Sequence, residues 1–169
     1  LGILAAQSGN LALSENAFRN TIALRKDSAE GHNNLGNILS AQGKLHKAIE
    51  HFTLALSINP LFPQAHNNLA NALMQQSKIS DAEKYYRKAV EINPNYSEAL
   101  NNLGYAVQRL GKVREAEKYY KKAIEINPNY AEAYNNLGTA LVELGELQLA
   151  IFNFEKALSL NSKYYKVLI

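Results

Sequence analysis

Hydrophobic and polar positions along the chain follow the period of amphipathic helices. In residues 131–164 one apolar stripe comprises Tyr134, Leu137, Leu141 and Leu144. A second stripe in the same segment comprises Leu147, Ala150, Ile151, Phe154, Ala157 and Leu158. Spacings of three and four residues place each set on one side of a helix. Gly145 lies between the two stripes, where a turn needs a permissive backbone. The pattern predicts two antiparallel helices joined by a short turn.

The same pattern returns every 34 residues. The segments AEKYYRKAVEINPNY at 82–96 and AEKYYKKAIEINPNY at 116–130 differ at only two of 15 positions. The offset predicts a single array with a truncated repeat at 1–28, full repeats at 29–62, 63–96, 97–130 and 131–164, and the start of a further repeat at 165–169. Proline follows the second helix of three repeats, where it stops the helix.

Small residues occupy the positions where the predicted helices meet. The first helices carry Gly36, Ala70, Gly104 and Gly138 at one repeat position. Such residues let helix axes approach closely. An aromatic column on the second helices comprises Phe52, Tyr86, Tyr120 and Phe154. We expect these rings to fill the space between neighbouring helix pairs.

These columns resemble the tetratricopeptide repeat, whose pattern runs W-x2-L-G-x2-Y, then A-x3-F, A and P over 34 residues. The resemblance covers essentially the whole chain. The opening aromatic is replaced by His32, His66 or Leu100 in three repeats, and Ala70 replaces one glycine. The resemblance implies an all-α, right-handed superhelical solenoid of helix-turn-helix repeats, whose first helices line a concave groove that binds other polypeptides.

Polar residues occupy the side of each first helix that faces away from the predicted core. The candidate peptide-binding positions are Asn33, Asn34, Asn37, Asn67, Asn68, Asn71, Asn101, Asn102, Tyr105, Asn135, Asn136, Thr139, Glu30, Glu98 and Glu132. A carboxamide offers donors and an acceptor, so it can pair with the backbone of an extended peptide. In the alternative interpretation, the asparagines cap or bridge adjacent hairpins. The glutamates favour a basic or neutral partner segment.

The asparagine before Leu-Gly, or before Leu-Ala in AHNNLAN at 65–71, is similar to that in the superhelical arm of O-linked N-acetylglucosamine transferases. In that family the column grips the substrate backbone, and the resemblance carries this role to Asn34, Asn68, Asn102 and Asn136. A substrate-recruiting arm of a larger enzyme is therefore an alternative to a free-standing scaffold. A further alternative is a self-associating structural array.

Composition narrows the function classes. Hydrophobic residues make up 47% of the chain and charged residues 20%, as in folded proteins. Eighteen basic and 15 acidic residues are interleaved, so we expect no nucleic-acid partner.

No apolar run approaches the roughly 20 residues of a membrane span, so we expect no membrane insertion, and a cytoplasmic location is favoured. The chain has no cysteine, and no catalytic constellation is evident. We expect no enzyme activity, no cofactor and no metal, with His32 and His66 packing in place of the repeat's aromatic.

Overall fold

A computed structural model of the chain describes residues 11–25 and 27–161. All regular secondary structure in those residues is helical, which confirms the prediction of an all-α fold. The helices are α1 Leu11–Leu24, α2 Ala29–Ala41, α3 Leu45–Ile58, α4 Pro63–Gln75, α5 Ile79–Ile92, α6 Ser97–Arg109, α7 Val113–Ile126, α8 Ala131–Glu143 and α9 Leu147–Leu160. In the part of the chain that is described, no helix has the length and apolar character needed to cross a membrane. The predicted start of a further repeat at 165–169 lies outside the described residues.

The chain divides into two compact units, residues 1–92 and 93–169. In the first unit α2 packs on α3 and α4 packs on α5, while α1 covers α2 and α3 contacts α4. In the second unit α6 packs on α7 and α8 packs on α9, with α7 against α8. Consecutive first helices also touch within each unit, α2 with α4 and α6 with α8. This last contact brings the asparagine columns of neighbouring repeats together.

The turn inside each helix pair is closed by one residue in the left-handed backbone region. Gly145, the turn residue that the sequence predicted, has a φ of 77°, and Gly43 and Gly111 at the same repeat position have φ values of 75° and 80°. Ser77 holds the same position between α4 and α5 with φ of 60°, where a side chain is strained. In all four turns the next N–H donates to the carbonyl five residues back, at 2.8–3.0 Å. These bonds satisfy the carbonyls at the end of the first helix.

The aromatic column of the second helices lies on the glycine column of the first helices. A Cβ atom added to Gly36 would lie 2.5 Å from the Phe52 ring, and one added to Gly104 would lie 2.6 Å from the Tyr120 ring. Each ring therefore occupies the gap that glycine leaves within its own helix pair. We expected these rings between neighbouring pairs, and the contact is instead inside the pair. Phe52 and Tyr120 are at most 1% exposed, so they form part of the core.

Candidate peptide-binding face

The polar surface of the first helices follows a stripe with spacings of four and three residues. We call this stripe the amide face of each unit. In the first unit it comprises Glu30, Asn34 and Asn37 on α2 with Asn68 and Asn71 on α4, and in the second unit it comprises Glu98, Asn102 and Tyr105 on α6 with Glu132, Asn136 and Thr139 on α8. Its glutamates, with Asn37, Tyr105 and Thr139, are exposed, whereas the other asparagines are half-buried. On the amide face of each unit, exposed side chains therefore lie beside half-buried carboxamides.

The other predicted asparagine column lies on a different side of the helix. Asn33, Asn67 and Asn101 are buried, with exposed fractions of 5%, 0% and 0%, and Asn135 is half-buried. Our expectation that this column faces solvent is therefore wrong for the three buried members. The cause is helical geometry, because Asn33 follows the buried His32 by one residue and turns toward the next first helix.

The two asparagine columns bridge neighbouring repeats. The Nδ2 of Asn68 donates to the Oδ1 of Asn33 at 3.0 Å, and the Nδ2 of Asn136 donates to the Oδ1 of Asn101 at 3.0 Å. Asn101 also donates through Nδ2 to the Oε1 of Glu132 at 3.3 Å. The bridging interpretation of the asparagines therefore holds for these two pairs. The buried column supplies the acceptor and the amide face supplies the donor.

This bridge fixes the carboxamides of Asn68 and Asn136 in one orientation. Each uses one N–H for the bridge, which leaves an oxygen and a second N–H. Within the described residues no hydrogen bond is made to either of those oxygens. Both side chains are half-buried, so one part of each is anchored and another part reaches solvent. A side chain already held in this way loses little conformational entropy when a ligand binds.

Two further members of the amide face, Asn71 and Tyr105, also make side-chain hydrogen bonds. The hydroxyl of Tyr86 donates to the Oδ1 of Asn71 at 2.6 Å, which ties that carboxamide to its own helix pair. Arg109 donates through Nη1 to the hydroxyl of Tyr105 at 3.1 Å, and its guanidinium carbon lies 5.8 Å from the ring centroid. Tyr105 is 43% exposed, so its ring is a platform at the edge of the face.

The histidines of the repeat's opening aromatic position are buried. The Nδ1 atoms of His32 and His51 lie 2.9 Å apart, within hydrogen-bond distance. Burial lowers the pKa of His51, and the neighbouring His32 lowers it further. His66 donates through Nε2 to the carbonyl of Pro60 at 2.8 Å, and burial lowers its pKa. In the described part of the chain, no three His, Asp or Glu side chains gather closely enough to hold a metal ion.

The described helices are paired through turns that contain a left-handed residue, they pack on alanine and glycine, and bridged asparagines join neighbouring repeats. These features are those of a helical-repeat protein. The chain matches the family described as tetratricopeptide repeat at residues 29–62, 61–129 and 95–163. Because these matches span most of the sequence, the chain belongs to the tetratricopeptide repeat family. Comparison with curated protein sequences gave no match.

Several solved structures share the fold. MamA is 23% identical with a TM-score of 0.81, covering 98% of this chain and 97% of its own. PilF of Pseudomonas aeruginosa is 21% identical with a TM-score of 0.86, covering 99% of this chain and 81% of its own. YrrB is 21% identical with a TM-score of 0.75, covering 95% of this chain and 83% of its own. These similarities define the fold, and the resemblance to transferase arms stays a prediction.

Proposed function

We propose that the chain is a scaffold that binds an extended segment of a partner protein along the amide face and performs no chemistry on it. Tetratricopeptide repeats mediate protein–protein interactions. The observation that carries the proposal is the fixed orientation of Asn68 and Asn136, each anchored by one N–H to the preceding repeat. The remaining oxygen and N–H of such a carboxamide match the N–H and C=O of a peptide backbone.

The spacing of the repeats suits an extended ligand. Stacked helices lie about 9 Å apart, and an extended chain advances about 3.3 Å per residue, so each repeat serves roughly three peptide residues. Within each unit, a carboxamide on each of the two successive first helices can then contact the peptide backbone without reading every side chain. YrrB, which shares the fold, is described as a repeat protein with an unusual peptide-binding site. That description supports a peptide ligand for this fold.

The charges of the amide face favour a basic or neutral ligand. Glu30, Glu98 and Glu132 are exposed on this face and would repel a carboxylate. Arg109 lies at the edge, where it is engaged with Tyr105. A lysine- or arginine-containing segment should therefore bind more tightly than an acidic one. The affinity for such a segment should fall as salt is added, because exposed charges are screened.

The test is binding of a random peptide library, followed by titration of the selected peptides. The decisive variant replaces Asn34, Asn68, Asn102 and Asn136 by alanine. A net hydrogen bond contributes about 1 kcal/mol, or about fivefold in affinity, so the quadruple variant should lose at least about 100-fold. Circular dichroism and thermal unfolding establish that the variant is still folded.

The matched control replaces Asn95 and Asn129, which are exposed loop asparagines outside the amide face. It makes the same chemical change and should leave the affinity within about twofold. Unchanged peptide binding by the quadruple variant would refute the assignment of the amide face. Equal losses in the control and the quadruple variant would show that the effect is not specific to that face.

A further inference from the structure

An ion pair that recurs on the second helices is missing from α3. On α1, α5 and α7 a glutamate is followed four residues later by an arginine or lysine, and the cation lies 2.7 Å from the carboxylate. The pairs are Glu15 with Arg19, Glu83 with Arg87, and Glu117 with Lys121. These glutamate side chains are only 10%, 13% and 11% exposed, so their carboxylates are largely shielded from water. At the equivalent positions α3 carries Ile49 and Thr53, which are uncharged and shorter.

A cavity of about 630 Å³ lies beside these two α3 side chains, and we call it the α4 cavity. Its lining residues come from α3, α4 and α5, which all belong to the first unit. α4 contributes Leu69 and Leu73, which are 2% and 8% exposed. The stacked rings of His66 and Tyr85, with centroids 6.0 Å apart, line it as well. Concave sites of about 300–1,000 Å³ with mostly apolar walls are typical of small-molecule ligands, so the α4 cavity has the size of a ligand site.

Two ammonium groups from α5 also line the α4 cavity. They belong to Lys84 and Lys88, and the acid that lines the cavity with them is Asp81. Lys84 contacts Asp81 at 2.9 Å and Lys88 contacts Glu91 at 3.0 Å, so each has an acidic partner on its own helix. Both are exposed pairs three residues apart, which contribute little to stability, and each ammonium group has further N–H donors. The two lysines can therefore bind an additional anionic group.

We propose that the α4 cavity binds a small carboxylate whose body is apolar. The apolar body packs on Ile49, Leu69 and Leu73, and the carboxylate pairs with Lys84 and Lys88. The ligand then supplies beside α3 the shielded acid that glutamate supplies on α1, α5 and α7. A cationic ligand is disfavoured, because the lining holds two lysines and one aspartate. The site is separate from the proposed peptide-binding function, since none of its lining residues belongs to the amide face.

Calorimetric titration with octanoate, a carboxylate on an unbranched apolar chain, tests the proposal. A ligand of this size should bind the wild type with a dissociation constant of about 0.1–1 mM. Octanol has the same chain without the charge, so it should bind at least about fivefold more weakly. The filling variant is Ile49→Glu with Thr53→Arg, which introduces the pair that α5 carries at Glu83 and Arg87. Because the array already holds this pair, the variant should fold and lose at least about tenfold in octanoate affinity.

The charge variant, Lys84→Gln with Lys88→Gln, should weaken octanoate binding about tenfold and leave octanol binding within about twofold. Its matched control, Lys118→Gln with Lys122→Gln, makes the same change at the same repeat positions on α7 and should bind octanoate as the wild type does. Circular dichroism establishes which variants are folded, and the charge variant decides if the filling variant is not.

Four results overturn the proposal. The first is a wild type that does not bind octanoate, and the second is equal affinity of the wild type for octanoate and octanol. The third is unchanged octanoate binding by a folded filling variant. The fourth is an equal loss of octanoate affinity in the charge variant and in its matched control.

Discussion

Asn101 and Asn135 occupy the same repeat position in different surroundings, so replacing each by alanine tests the asparagine bridge. Asn101 is 0% exposed, accepts a hydrogen bond from Asn136 at 3.0 Å and donates to Glu132 at 3.3 Å. The Oδ1 of Asn135 is buried too, but it has no hydrogen-bond partner among the described residues. Alanine therefore removes a satisfied group in one variant and an unsatisfied group in the other.

The expected losses of stability differ in size. Asn101→Ala breaks three hydrogen bonds, those with Asn136, Glu132 and the hydroxyl of Tyr130, and leaves an N–H of Asn136 without its acceptor, which costs about 2–3 kcal/mol. Asn135→Ala removes a buried acceptor that makes no bond, and alanine is the better helix former by about 0.5 kcal/mol. We expect this second variant to lie within about 0.5 kcal/mol of the wild type, or to be more stable.

Urea unfolding followed by circular dichroism measures the difference between the two variants. At this chain length about 1 kcal/mol corresponds to about 2–4 °C, so Asn101→Ala should melt roughly 4–12 °C lower. The dependence of the free energy on urea should stay unchanged in both variants. Equal destabilisation by the two substitutions would refute the reasoning. It would mean that side-chain volume, rather than the hydrogen bonds of the bridge, decides the stability at this position.

Three further predictions concern stability. Ser77→Gly relieves a left-handed backbone strain and should add about 0.5–1 kcal/mol, whereas Gly111→Ser should lose a similar amount, both measured by urea unfolding. Burial lowers the pKa of His66, so its contribution is complete above pH 6.5 and declines as the pH falls below that value. His66→Leu should therefore flatten the thermal stability profile between pH 7.5 and pH 5, and an unchanged slope would contradict this. The hydrogen bond from Lys121 lowers the pKa of Glu117, whose stabilisation is present above about pH 4.5 and is lost in more acidic solution. Glu117→Gln should show a smaller loss of melting temperature between pH 5 and pH 3 than the wild type.

The helices could be predicted from the sequence because each repeat supplies the same independent signals. Apolar stripes set the helical faces, and glycine marks the turn residue at Gly43, Gly111 and Gly145. The exception is Ser77, which adopts the same left-handed backbone conformation without being glycine. The offset of 34 residues nevertheless places Ser77 in the column of Gly43, Gly111 and Gly145, so the alignment of the repeats is the signal that a non-glycine residue adopts the turn conformation there.

The amide face was predicted less completely than the helices. The sequence located the asparagines but assigned both columns to solvent, whereas Asn33, Asn67 and Asn101 are buried. Adjacent helical residues point about 100° apart, so the border between core and surface depends on where the neighbouring helix lies. A single repeat does not contain that information. The distance of 35 residues between Asn68 and Asn33 was available in the sequence, and it is the signal that a bridge between repeats would leave.

Bridging and peptide binding do not compete for the same atoms of a carboxamide. The side chain of Asn136 has two N–H donors and an oxygen with two lone pairs, and the bridge to Asn101 uses one donor. The oxygen and second donor remain, which is the pair that an extended backbone requires. The buried column has no such surplus, because its oxygen accepts the bridge and its side chain is shielded from solvent. One asparagine of each bridged pair therefore orients the other, and the ligand contact falls to the amide face alone.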